Sequence, residues 1–141
     1  MPIISKFIFA FCRVLPLIIF GGTVNAAAVT YECKVTKKLV PASGVTYTQK
    51  QLEKFQPSVV IIDTGESFAL KRCSFAPSQG KVTCDEYEGD KKVVSTVTGS
   101  PRPIKKYYYF QGQFDVQVFQ DLSFIENNGR GHIALGKCRM L

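Results

Sequence analysis

From Val29 to Lys38 the chain reads VTYECKVTKK, and its apolar and polar positions alternate. Val29, Tyr31, Cys33 and Val35 fall on one face; Thr30, Glu32, Lys34, Thr36 and Lys38 fall on the other. A period of two marks a half-buried strand. Pro41-Ala42-Ser43-Gly44 breaks it. Thr48-Gln49-Lys50-Gln51 then matches a capping box: Thr48 can accept from the third following amide while Gln51 reaches back. Leu52 and Phe55 share a face, and Pro57 ends the element, which predicts one short helix over about 49–56.

Beyond the helix the pattern predicts β-structure. Ser58–Asp63 is a strand and Asp63-Thr64-Gly65-Glu66 a tight turn. Phe68–Phe75 and Lys81–Tyr87 flank the turn Pro77-Ser78-Gln79-Gly80. Lys91–Thr98, Ile104–Phe110, Phe114–Phe119 and Leu122–Glu126 follow, and Asn127-Asn128-Gly129-Arg130-Gly131 turns the chain into a last strand, His132–Arg139. Turn signals at about 8–12-residue spacing predict a mainly β, antiparallel meander, barrel or sandwich of seven to nine strands. One strand breaks the alternation: Lys105 to Phe114, KKYYYFQGQF, is aromatic on both faces. Tyr107 and Tyr109 are expected in the core, with Tyr108 and Phe110 covering a loop or the helix.

The first residues change the picture of where this domain works. Lys6 and Arg13 carry charge without any acid, Val14–Gly22 is apolar, and Val24-Asn25-Ala26 offers small residues for cleavage. That layout predicts a cleaved secretory signal peptide over 1–26 and a single disulfide-bonded β domain over 27–141. Arg13 and Pro16 interrupt the apolar run, which falls short of the roughly 20 residues of a transmembrane anchor. The expected location is periplasmic or secreted. The remaining domain has 16 basic and 11 acidic side chains, a net of +5. Such a balance favours anionic envelope partners.

Removing Cys12 leaves Cys33, Cys73, Cys84 and Cys138, an even set in an exported chain. Cys73–Cys84 would cross-link a hairpin, and Cys33–Cys138 would join the first and last strands. A zinc site is disfavoured because there is no C-x-x-C pair and His132 is the only histidine. No cofactor motif, Walker loop or nucleophile elbow is present, so the chain is read as a non-enzyme. Four basic doublets, Lys37-Lys38, Lys71-Arg72, Lys91-Lys92 and Lys105-Lys106, are read as a basic solvated rim. Export argues against nucleic acid as their partner. Tyr108 with Arg102 and Lys106, and Arg130 at its loop tip, are the candidate partner-binding residues.

The segments Lys54–Glu66, Arg72–Lys91 and Gln113–Cys138 resemble a group of small, uncharacterised exported proteins of alphaproteobacteria. That resemblance implies export and a shared fold, with no activity. Tyr31-Glu32-Cys33 and Ser43-Gly44-Val45-Thr46-Tyr47 are similar to strings of periplasmic C-type lysozyme inhibitors, which are small disulfide-bonded antiparallel barrels. In that family the second string lies mid-domain, whereas here it follows the first strand. The expected function is therefore a non-catalytic exported binding protein. A protein inhibitor is the first alternative. An enzyme using Asp85 or Asp115 in a concave pocket is the second.

Overall fold

Alternating side chains give this chain one continuous antiparallel sheet. The computed structural model describes residues 27–141. The expected signal segment, 1–26, lies outside them. In chain order the elements are β1 (Val29–Val40), β2 (Val45–Thr46), α1 (Gln49–Phe55), β3 (Ser58–Asp63), β4 (Phe68–Ala76) and β5 (Lys81–Glu88). Then come β6 (Lys91–Ser95), β7 (Ile104–Tyr109), β8 (Phe114–Val118), β9 (Ser123–Asn127) and β10 (Ile133–Met140). Strands pair in the order β5-β4-β3-β1-β10-β9-β8-β7-β6, with the two-residue β2 pairing only with β1. The sheet curls into a half-barrel. Its inner face carries Tyr31, Val59, Ile61, Leu70, Tyr107, Val116 and Phe124, all buried. Each such side chain contributes about 1.5–3 kcal/mol by leaving water.

The predicted helix is present, and its start is the predicted capping box: Gln51 N–H donates to Thr48 Oγ1 at 3.2 Å, and Thr48 N–H to Gln51 Oε1 at 2.8 Å. Gln56 closes it in the left-handed region, φ 45°. β3 begins at Ser58, opposite Lys34 and Cys73, while β1 runs on to Val40 and β4 to Ala76. The helix packs against both overhanging strands and buries Leu52.

Both expected disulfides form between residues directly opposite in register. Cys33 pairs with Cys138 across β1 and β10, and Cys73 with Cys84 across β4 and β5. The first lies on the inner face and is buried. The second lies on the outer face, where Cys84 is exposed.

Two expectations are corrected. First, β1 shifts register between Val35 and Lys37. The extra residue of a bulge reverses every side chain after it. Lys38 therefore sits opposite the buried Ala134 on the inner face, not with Glu32 and Lys34 outside. Second, Tyr108 and Phe110 are not a covered pair. They lie together on the outer face, with ring centroids 5.9 Å apart, and Phe110 is 58% exposed. Tyr107 is fully buried as expected; Tyr109 is half-buried and packs on Tyr87, centroids 4.8 Å apart.

Next to the bulge, β1 and β10 approach too closely for any side chain at Gly136. A Cβ there would lie 1.9 Å from the Lys34 carbonyl oxygen and 2.7 Å from Phe124. Gly136→Ala is expected to cost about 1–3 kcal/mol through forced backbone movement. A urea melt unchanged from wild type would show that the strands can part there at no cost.

Candidate functional site

The four basic doublets do not form a rim. Each lies on a strand, so alternation or the bulge sends one member inward. Lys92 and Lys105 converge on Asp63; Arg72 and Lys38 face Glu126. Two buried carboxylates, not the solvent, receive half of the doublets.

Asp63 ends β3 and is only 2% exposed. Its Oδ1 accepts from Lys92 Nζ at 2.6 Å and from Gly65 N–H at 3.0 Å; its Oδ2 accepts from Lys105 Nζ and Tyr107 Oη, both at 2.8 Å. Burial pushes this carboxyl upward, but the bonds from Lys105, Lys92, Gly65 and Tyr107 outweigh it and hold it well below the usual range. Burial would lower Lys105, yet its bond to Asp63 leaves it raised. Burial and Asp63 together raise the Tyr107 phenol. The cluster ties the β3 end of the sheet to β6 and β7 across the half-barrel.

Glu126 on β9 is 6% exposed and accepts from Arg72 Nε of β4 at 3.0 Å. Burial dominates here and raises the carboxyl, against the fields of Arg72, Lys38 and His132. Around it, Tyr47 packs edge-on against His132 at 6.2 Å, and the Lys38 ammonium lies 5.2 Å from the Tyr47 ring centre. His132 Nδ1 is buried without a partner among the described residues.

Two concavities accompany these clusters. A groove of about 880 Å³ lies on the outer side between α1 and the strands β3, β1 and β10. Its charges are mixed, and Glu32 is engaged by Arg139. A recess of about 270 Å³ is lined by Arg72, Tyr87, Tyr109, Gln111, Gly112, Phe114, Asn128 and Arg130. The expected enzymatic carboxylates line neither concavity. Asp115 faces outward, 3.4 Å from Lys106, and Asp85 is exposed on β5. Among the described residues, no group of three or more His, Cys, Asp or Glu side chains could hold a metal ion. None of their helices is long and apolar enough to cross a membrane.

Of the four expected partner-binding residues, two meet. The Lys106 ammonium lies 5.0 Å from the centre of the Tyr108 ring on the outer face. Arg102 donates instead to the Gln120 carbonyl at 3.1 Å, beyond the far end of β8. Arg130 belongs to the recess. The sequence pattern missed Arg72, Tyr87 and Tyr109 as members of that recess. They come from three strands, and only the curl brings them together.

No family model, curated protein or solved structure matches this chain. Geometry and chemistry are therefore what carry its function.

Proposed function

We propose that this is a non-catalytic exported binding protein of the bacterial envelope. The outer patch of Tyr108, Phe110 and Lys106 is the surface that takes an envelope protein. Phe110 carries this reading: a phenylalanine 58% exposed, next to a Tyr108 ring that itself carries a lysine, has no fold-level reason to face water. Exposed aromatic side chains of this kind are enriched at interfaces. The patch adjoins β6, whose Val93 is exposed opposite Lys106 and whose outer edge is unpaired in the sheet. Export is supported by the signal-like layout of residues 1–26 and by two disulfides, which persist in oxidising compartments.

The test pairs wild type with a Tyr108→Ser/Phe110→Ser variant as baits on envelope extracts, with crosslinking and mass spectrometry. The outer-face changes are expected to leave the melting curve within about 0.5 kcal/mol of wild type. One or more proteins held by wild type should be absent from the variant's eluate. Identical eluates would remove the patch as the binding surface. Retention of the mature chain in the cytosolic fraction would remove export.

A further inference from the structure

We propose that the recess at the β7–β8 end of the half-barrel is a second, independent binding site. It takes a small anionic sugar, a single pyranose unit bearing a carboxylate or a phosphate. Four strands and two turns build it, Gln111 and Gly112 coming from the β7–β8 turn. Arg72 comes from β4, Tyr87 from β5, Tyr109 from β7, Phe114 from β8, and Asn128 with Arg130 from the turn between β9 and β10.

Its charged groups are both cationic. Asn128 is only 6% exposed, and its Oδ1 accepts from the N–H groups of Arg130 at 2.9 Å and His132 at 3.1 Å. Two backbone donors on one oxygen fix the orientation of the amide. Its Nδ2 thus has no partner among the described residues and borders the recess. That amide is open to solvent and free to donate to a ligand oxygen. Arg72 gives Nε to Glu126, and its guanidinium lies 4.9 Å from the Phe114 ring centre. That leaves its terminal amino groups for a ligand. Arg130 is exposed at the turn and has no ion pair among the described residues. The lining includes two guanidinium groups and no carboxylate. Guanidinium pairs match the two oxygens of a carboxylate or phosphate.

Size and aromatic walls narrow the class. About 270 Å³ lies just below the usual range for drug-sized ligands, so one small unit fits. Tyr87 and Tyr109, 4.8 Å apart and inclined at 34°, offer ring faces for an apolar sugar face. The turn is held rigidly against the recess wall: a Cβ at Gly129 would lie 2.1 Å from the Gly112 carbonyl oxygen, so only glycine permits this approach. Tyr109 and Gln111 flank Phe110 in the chain, but the recess is on the inner side and the aromatic patch on the outer face, so substitutions can address each separately.

The experiment is a titration of the oxidised, signal-free protein with glucuronate, glucose 6-phosphate, neutral glucose and inorganic phosphate, followed by amide NMR. Either acidic sugar should shift amides in 109–114 and 127–132, and neutral glucose should not. Which of the two binds tighter decides between carboxylate and phosphate. Arg130→Gln, an exposed change that leaves the fold intact, should weaken binding about tenfold or more. Tyr109→Leu should weaken both acidic sugars but not inorganic phosphate. No shift with either acidic sugar up to millimolar concentration would overturn the proposal. So would equal affinity in Arg130→Gln, or inorganic phosphate binding as tightly as the sugar phosphate.

Discussion

Replacing Cys33 and Cys138 together by serine is expected to lower folding stability by about 5 kcal/mol, against about 3 kcal/mol for Cys73 and Cys84. The difference follows from loop length. The first disulfide spans 105 residues and the second 11, and the entropy withheld from the unfolded chain grows with the logarithm of that span. Burial widens the gap. Cys33 is 1% exposed within the core, so serine leaves a hydroxyl there in place of sulfur, whereas Cys84 is exposed. Domains of this size are stable by only about 5–15 kcal/mol. The Cys33/Cys138 double variant should therefore lose about a third or more of that stability. Urea unfolding of the two double variants checks the ordering. Equal midpoints would mean that the long loop is already restrained in the unfolded state.

Removal of the Asp63 carboxylate is the second large effect. Asp63→Ala leaves two ammonium groups and a phenol without the carboxylate, itself only 2% exposed, that they share, and should cost about 3–5 kcal/mol. Desolvation makes the pair expensive to break rather than valuable in itself. Replacing the set with apolar residues, Asp63→Leu with Lys92→Met, Lys105→Met and Tyr107→Phe, should recover most of the loss. If that variant is as unstable as Asp63→Ala, shape rather than charge holds the corner.

The same residue sets the acid limb. Its folded pKa is depressed below the ordinary 3.8, so its stabilisation is present above that value. It is lost as pH falls through 3.8 toward the folded value, at up to about 1.4 kcal/mol per pH unit. Glu126 has the opposite sign. Its folded pKa is raised above 4.5, so the folded state gains relative stability as pH falls through the raised value to 4.5. In Asp63→Asn the steep loss below pH 3.8 should flatten, which urea titrations at a series of pH values would show.

The strands, the capped helix and both disulfides were legible because each is written locally: alternation, a four-residue capping box, paired cysteines at strand centres. What escaped was what the curl decides. Asp63 read as a turn residue, since nothing nearby in sequence reveals that Lys92 and Lys105 arrive from the far edge. Lys38 read as outward because the bulge at Thr36 has no signature in a run that alternates cleanly. Arg130 was legible as an exposed arginine in a glycine-rich loop. Its companions Arg72, Tyr87 and Tyr109 were not, since each fits an ordinary strand position. Asn128 read as a turn former, and only the fold brings it to the recess.

The strand order has one more consequence. Read from β6, it runs β6-β7-β8-β9-β10 and then β1-β3-β4-β5. These are two serial meanders, and nearly every neighbour along the path is also a neighbour in the chain. The β1–β10 contact is the one junction whose partners lie at opposite ends of the domain. At the other side, the two outermost strands, β5 and β6, are linked by Gly89-Asp90 alone. Each meander can assemble from local contacts, which is fast; the junction between them bears almost the whole loop-closure delay. The protein stands as two meanders with a single slow weld, and the Cys33–Cys138 bond lies on that weld.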